Sequence, residues 1–446
     1  MISIILQLDL VFSQPIPKDH FLYQSRKMLY DVGKNWQSLS IFGTNRFKSQ
    51  LQNEVVKHSA MMKTNGSLAI NAKSNSHIIK GYGSIYFKDY YYGYIYPSFN
   101  IKSNGDQQYK GILNSYGNQN NHSGLGFENS WVILEIGKGN QNWGAGNDIQ
   151  LALSENSEAF DYILLGSDYG RVRVRYIHGY LENIQKNINR YITARGFEWT
   201  NQRSLIIGFS ETIIYSGENR QLDIGYFNPI ASHLELELND RLNVVGESNA
   251  NAVWQMHLDY CLNTGIRFSA NYLFDEFVLD KEIQKEKEHG RAFSLRMAVS
   301  PKLLSNNHFI TVYGSFIYVG TPTFRHLLGS NNFIQNGKPL GWQGGSDCQN
   351  FSIGINYFNK RNLIFSLSTG FLQNGEESIT GQAYEPYSDY LRGKFPSGII
   401  EDVIYIETSF TYSLNDNITI SSVLNLIPET KETYVETNFQ LIQSLF

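Results

Sequence analysis

Residues 252–277 read AVWQMHLDYCLNTGIRFSANYLFDEF, and their reading decides the fold. The triplet Asn263-Thr264-Gly265 is turn chemistry and cuts the stretch into two runs of about ten residues. Within each run apolar and polar side chains alternate. Trp254, Met256, Leu258 and Tyr260, then Ile266, Phe268, Tyr272 and Phe274, share one parity; Gln255, His257 and Asp259, then Arg267, Ser269, Asn271 and Asp275, share the other. A period of two places those sets on opposite faces of an antiparallel hairpin.

The same division recurs outward from this hairpin. Phe293, Leu295, Met297 and Val299 alternate with Ser294 and Arg296, and Ile310, Val312, Phe316 and Tyr318 with Thr311, Tyr313 and Ser315. Phe351, Ile353, Ile355 and Tyr357 alternate with Ser352, Gly354 and Asn356; Ile404, Ile406, Phe410 and Tyr412 with Tyr405, Glu407 and Thr411. Composition agrees, since 14% of the 446 residues are aromatic, with 29 Tyr and 27 Phe, while the helix-forming mixture of Ala, Glu, Lys and Leu is thin. The chain reads as all-β. Such alternation fits a soluble sandwich with polar residues outside, or a membrane barrel with apolar residues facing lipid and polar ones in the lumen.

Connection lengths separate these alternatives. From Phe160 onward, tight turns near Asp168, Asn201, Thr264, Asn359 and Asn415 alternate with long excursions at 215–251, 278–290, 320–349 and 373–401. Short turns on one rim and long loops on the other are the pattern of a transmembrane antiparallel β-barrel, here of about 18 strands. The Asn/Gly-rich stretch 100–129 falls on the wrong rim in this count, as a periplasmic or plugging segment or a miscount. No apolar run approaches the roughly 18–20 residues of a membrane-spanning helix. Residues 1–14 read either as a truncated signal peptide or as an N-terminal strand; 15–38 form an N-terminal periplasmic segment with a short helix, on the spacing of Leu22, Leu29 and Val32; and 39–446 form the barrel. The terminal Phe446 supports outer-membrane assembly, although the apolar parity before it runs through Phe439, Leu441 and Leu445.

The remaining composition excludes function classes. A net charge of −4 with no basic block argues against nucleic-acid binding. Cys261 and Cys348 form no CxxC pair and stand at opposite ends of their strands, so neither a structural zinc site nor a disulfide between them is expected. Neither a metal nor a cofactor is implied. GKGNQN at 137–142 imitates a dinucleotide fingerprint, but no helical pattern follows it. Asp275 and Glu276 are adjacent, so on a strand they point to opposite faces and make no glycosidase pair. His257 lies two residues from Asp259, yet no GxSxG elbow or HExxH occurs. The mixed-sign run 281–291 reads as a solvated outer loop.

Six short pieces, in order, resemble the capsule-assembly Wzi family of outer-membrane proteins, above all its Bacteroidetes-type members. They are GKGNQNWGAG at 137–146, LALSENSEAFD at 151–161, RYIHG at 175–179, GFSE at 208–211, YFNPI at 226–230 and FDEF at 274–277. The resemblance implies an eighteen-stranded, non-enzymatic barrel of the cell outer membrane that acts as a surface lectin and helps to attach or organise capsular polysaccharide. Its partners would be a surface glycan and outer-membrane lipid, and it would work as a monomer. Enterobacterial members also carry a periplasmic helical bundle, for which this N-terminus has little room.

With the N-terminus in the periplasm, strand counting brings Trp143, Asn156, Asn228, Asp275 and Glu276 to one outer mouth. A glycan platform needs aromatic faces for pyranose rings and fixed amides and carboxylates for hydroxyls, which these residues offer. Arg171, Arg173 and Arg175 share a parity in RVRVRY, so if Val172, Val174 and Tyr176 face lipid, three guanidinium groups line the lumen and would attract an acidic glycan. Two structural alternatives stand beside these expectations: Trp143 as a cap on the barrel core or part of an aromatic girdle, and the arginines as a lumen network with Glu135, Asp259 and Asp275. Rival functions are a porin or solute channel and, less favoured, an outer-membrane hydrolase.

Overall fold

In the computed structural model the deciding hairpin forms between β10 (Ala250–Leu262) and β11 (Ile266–Phe274), in register from Trp254 opposite Phe274 to Leu262 opposite Ile266. The apolar parity is outside. Met256 is 51% exposed and Tyr272 45%, whereas His257, Asp259, Arg267 and Asn271 are each about 2% exposed or less. Charged groups buried and hydrophobic ones bare is the inverse of a soluble sheet and the signature of a membrane barrel. The structure describes residues 13–15, 24, 27–28, 30–31, 46–48, 63–71, 76–87, 90–96, 98–102, 122–129, 131–184, 187–244, 250–262, 265–275, 287–301, 308–359, 362–415, 418–427 and 432–444.

Around this hairpin the strands are β1 (Lys63–Asn71), β2 (Ser76–Phe87), β3 (Tyr91–Tyr96 and Ser98–Lys102), β4 (His122–Glu128), β5 (Val132–Gly139), β6 (Phe160–Asp168), β7 (Val172–Ile184), β8 (Ile188–Thr200) and β9 (Leu205–Glu218). Beyond it come β12 (Arg291–Val299), β13 (His308–Val319), β14 (Cys348–Asn359), β15 (Leu363–Asn374), β16 (Glu401–Asn415), β17 (Ile418–Ile427) and β18 (Glu432–Ser444). The two parts of β3 flank Pro97, which cannot donate a ladder hydrogen bond, and both lie antiparallel to β2. They count as one crossing. Each strand is antiparallel to the next, and β18 closes on β1 through Glu436 opposite Asn71 to Ser444 opposite Lys63, so the described residues form a closed barrel.

Short connections such as 169–171 and 201–204 lie on one rim, and the long ones 140–159, 320–347 and 375–400, with the start of another at 219–244, on the other. By the loop rule of outer-membrane barrels, the short-turn rim is periplasmic. Exposed Trp131 and Tyr169, with ring centroids 6.4 Å apart, lie at that inner rim as an aromatic girdle would. Lys102 and His122 are both at the outer rim, so the connection between them starts and ends with the long loops, and the expectation of a wrong-rim excursion is a miscount. Residues 103–121 themselves lie outside the described residues.

The N-terminal segment differs from expectation in its place. Gln24, Lys27, Met28, Tyr30 and Asp31 are helical, but they lie within the inner end of the barrel and not beyond it. Tyr30 donates to Asp259 (2.7 Å) and lies under Arg267 (3.7 Å from guanidinium to ring centre); Asp31 pairs with Arg296 (2.7 Å); Met28 packs on Phe309, Phe358 and Ile364. The reason is chemical: a lumen lined by Asp259, Arg267 and Arg296 needs partners, and the helix supplies them. Ser13–Pro15 pairs with Arg46–Lys48, while the rest of the signal-peptide reading, residues 1–12, and Phe446 lie outside the described residues.

Candidate functional site: the outer mouth

Three long loops turn into the outer half of the lumen and build a hydrophobic core there. Trp143, Ile149, Leu151 and Leu153 come from loop 140–159, Phe324, Phe333, Ile334 and Leu340 from loop 320–347, and Ile379 from loop 375–400; they pack on inward-facing Leu164, Ile192, Ile214, Val253, Leu273 and Ile317 of the wall. Buried polar groups fix the loops to the wall and to each other. Arg190 on β8 is wholly buried and donates to the carbonyls of Ser330 (2.6 Å), Asn332 (2.6 Å) and Ile334 (2.7 Å), and to Glu182 (2.6 Å). Asp347 accepts from Thr321 Oγ1 (2.8 Å) and from the backbone N–H groups of Glu377 (3.2 Å) and Ser397 (3.0 Å), tying two loops together. Below, the inner helix meets loop 140–159: Lys27 reaches Asp148 and Glu155, both at 2.7 Å, and Asn147 donates to Asp31 (3.1 Å).

Two aromatic rings stand on the top of this core and remain partly exposed, Trp342 and Tyr384. A side chain at Gly344 would overlap the Trp342 ring, so the glycine lets the indole lie against the backbone. Tyr384 donates to Glu182 (2.7 Å) and accepts from the Gly337 N–H (2.9 Å), with the Arg190 guanidinium 5.3 Å from its ring centre. Exposed Gln343 and Lys338, the latter paired with Glu158, belong to the same loop. Close by, Arg325 lies over Tyr387 (4.7 Å), and burial pushes the Tyr387 hydroxyl up to about 12, so it remains a donor at any physiological pH. Rigid aromatic faces beside fixed amides and charges are the groups that hold sugar hydroxyls and ring faces.

The residues expected at one mouth are dispersed. Trp143 is fully buried in the lumen core, the alternative of a core cap, and presents no face to solvent. Asn156 is exposed on the same loop, its N–H donating to Ser154 Oγ (3.1 Å). Asp275 faces inward at the outer rim, where its carboxylate accepts the N–H of Phe324, a residue held at φ 70°. Asn228 is on the other side of the wall: loop residues 219–244 fold down over the outside of the barrel, and the Asn228 carbonyl accepts from Arg195 (2.9 Å). Glu276 lies outside the described residues, as does the run 281–291 up to Glu286.

The arginine column also differs in position. Val172 and Val174 face outward as expected, with Arg173 and Arg175 on the opposite face, but these residues lie at the inner end of β7, and Arg171 is exposed in the inner turn. Arg173 pairs with Asp168 (3.1 Å) and Glu198 (3.0 Å). A lumen network therefore describes it, though with partners other than those expected. Asp259 is bound by Arg267 (2.7 Å) and Ser269 (2.9 Å), and Glu135 by the hydroxyls of Tyr92, Tyr94 and Tyr162. His257 lies 3.9 Å from Glu198, so it and Asp259 serve different clusters. Neither Cys261 nor Cys348 is in a disulfide; both are buried, at opposite ends of the wall. Among the described residues no group of three or more His, Cys, Asp or Glu is arranged to hold a metal ion. Trp342 and Tyr384 escaped the sequence reading; the signal for Trp342 is GWQGG at 341–345, a tryptophan among glycines like Trp143.

Neither a family model nor a curated protein matches the chain. Among solved structures it is similar to Wzi of Escherichia coli, described as an outer-membrane protein involved in group 1 capsule assembly and a carbohydrate-binding β-barrel, with TM-score 0.62 and 11% identity over 86% of this chain and 85% of that one. A BenF-like porin of Pseudomonas fluorescens aligns at TM-score 0.47 and 7% identity, over 86% of this chain and 98% of that one. OccK10 of Pseudomonas aeruginosa aligns at TM-score 0.46 and 10% identity, over 87% and 99%. At such identities the likeness speaks for the fold, that of an outer-membrane β-barrel.

Proposed function

We propose that this barrel binds a capsular or other surface polysaccharide at its outer mouth, without catalysing a reaction on it. One observation carries the reading: the lumen is occupied from both ends, by the inner helix below and by a hydrophobic core of three loops above, so the barrel wall serves as a mount for a surface and not as a conduit. On that mount stand Trp342 and Tyr384 with Gln343 and Lys338, an aromatic and polar platform of the kind that stacks on pyranose rings. The carbohydrate-binding property described for the structurally similar capsule-assembly barrel points the same way. Of the residues first considered, Asn156 keeps an exposed amide suited to a glycan; Asn228, on the outside of the wall, and the buried Trp143 do not take part directly.

The test is binding of the detergent-purified barrel to an array of bacterial capsular and lipopolysaccharide glycans, beside a Trp342→Ala, Tyr384→Ala double variant. Retained fold with at least about tenfold weaker glycan binding in the variant supports the reading, since two stacked rings are together worth more than about 1.4 kcal/mol. No glycan binding by the parent, together with porin-scale conductance in planar bilayers, moves the assignment to a solute channel. Turnover of a lipid or glycan abolished by one Ser, His or carboxylate replacement would point to a hydrolase instead.

A further inference from the structure

The outward face of β7–β10 changes character partway along the strands. Near the inner rim it is bare and apolar, with Val174, Phe197, Ile207 and Met256 all more than 40% exposed. Further out a row reads Tyr176, Arg195, Glu211 and Trp254, cross-strand neighbours in that order, and it includes an ion pair of 3.3 Å. Loop residues 219–244 cover that row. The Tyr226 carbonyl accepts from Tyr176 (2.7 Å), the Asn228 carbonyl from Arg195 (2.9 Å), and Glu211 accepts the N–H of His233 (3.0 Å). Tyr226, Leu236 and Leu242 are buried against Tyr191, Ile213, Tyr215, Ala250 and Ala252 of the wall.

The depth of this contact follows from strand geometry. Tyr176 is four residues from the inner end of β7, Arg195 five from that of β8, and Glu211 six from that of β9. At about 3.3 Å per residue and a tilt near 40°, those distances are about 10–15 Å above the inner rim, well within an apolar band about 25 Å tall. The loop's outer surface suits that place. Ile224 is 83% exposed, Ile230 89% and Leu238 74%; of the charges on that surface Glu235 and Arg241 pair at 2.8 Å, and Asp240 is exposed at the helix end beside them. This surface continues the bare apolar wall sideways and outward.

We infer that loop segment 219–244 is a membrane-embedded clasp: it covers the Arg195–Glu211 pair on the barrel exterior and presents Ile224, Ile230 and Leu238 to the acyl chains of the outer leaflet. Its occupant is lipid, because the contact lies at hydrocarbon depth and the exposed side chains are aliphatic. The long loop is thus part of the transmembrane wall, unlike the loops that fill the mouth.

Single-cysteine variants labelled with a small fluorophore and reconstituted in phosphatidylcholine vesicles test this, with Cys261 and Cys348 too buried to label and the unmodified chain as the check. Ile230→Cys and Leu238→Cys are read against Phe197→Cys on the bare wall and Gln343→Cys at the mouth, with native fold verified by heat-modifiable gel mobility. Quenching of the clasp labels by brominated-chain lipid within about twofold of Phe197→Cys, and iodide quenching at least about fivefold below Gln343→Cys, is the expected result. Iodide quenching like that of Gln343→Cys with no effect of brominated lipid overturns the inference, placing the loop in water. Exclusion of both quenchers also overturns it, in favour of a protein partner or second copy over the loop.

Discussion

Arg190 shows how one side chain can hold a whole loop. Its guanidinium is planar with five donors, and four of its contacts are to groups that have left water: three carbonyls of loop 320–347 and Glu182. Arg190→Ala would strip the charged donor from three loop carbonyls and from the partly buried Glu182, which keeps only the Tyr384 hydroxyl and the Asn336 N–H, at a cost of about 1.5–3 kcal/mol to the packing of that loop. The barrel wall, hydrogen-bonded on every edge, should stay intact. Limited proteolysis of the folded variant is therefore expected to cleave within 320–347, where the parent resists, while heat-modifiable mobility is unchanged; a resistant loop would show that the hydrophobic core alone holds it. Asp347→Ala, which strips acceptors from Thr321, Glu377 and Ser397, should free loop 375–400 in the same assay. None of these staples was legible in the sequence, because Arg190 and Asp347 are lone charges in NINRYI and GGSDCQ with nothing to mark their loop partners, all more than 20 residues away.

At the level of elements, the sequence was most informative where a strand meets lipid on one face and lumen on the other. The hairpin at 252–277 satisfies both conditions, and its alternation named inside and outside correctly down to Asp259 and Arg267. The same rule loses its footing on β8, where Arg195 shares parity with Phe197. Parity predicts lipid for Arg195, and the answer lies in a distant loop that covers it. The broken β3 and the short, glycine-rich β4 (HSGLGFE) weaken the period in a similar way, which is why the rim of the 100–129 stretch was miscounted. The covered pair yields a prediction in two parts. Arg195→Leu alone, or Glu211→Leu alone, leaves one charge buried against the wall and should lower stability in urea unfolding by about 3–5 kcal/mol. The double variant removes both charges together and should recover part of that loss, the remainder being the Asn228 carbonyl and the His233 and Trp254 N–H groups left without these partners. Additive losses in the double variant would mean that the two groups act through different contacts.

For the whole molecule the decisive matter is what fills the barrel, and there the strand pattern is silent, since loops carry no period. Two plugs enter from opposite ends. The inner one is polar, with Tyr30 and Asp31 joined to Asp259 and Arg296, and the outer one is a hydrophobic core around Trp143, Leu151 and Phe333. They meet at Lys27, which reaches Asp148 and Glu155 of the outer plug. Each blocks the lumen at its own level, so the effect of loosening them on ion flow should not be additive. The parent barrel is expected to pass little current in planar bilayers. Tyr30→Ala with Asp31→Ala removes the inner contacts but leaves the hydrophobic core above, and conductance should stay low. Shortening loops 140–159, 320–347 and 375–400 together removes the hydrophobic core but leaves the inner helix seated on Arg267 and Arg296, and again little current is expected. Only the combination opens a continuous path, and its conductance should exceed the sum of the two by about tenfold or more, since an emptied barrel of this strand number is wide enough for water. Porin-scale current through the parent would reverse the reading of the lumen as closed, and with it the main physical support for a surface-binding role over a channel.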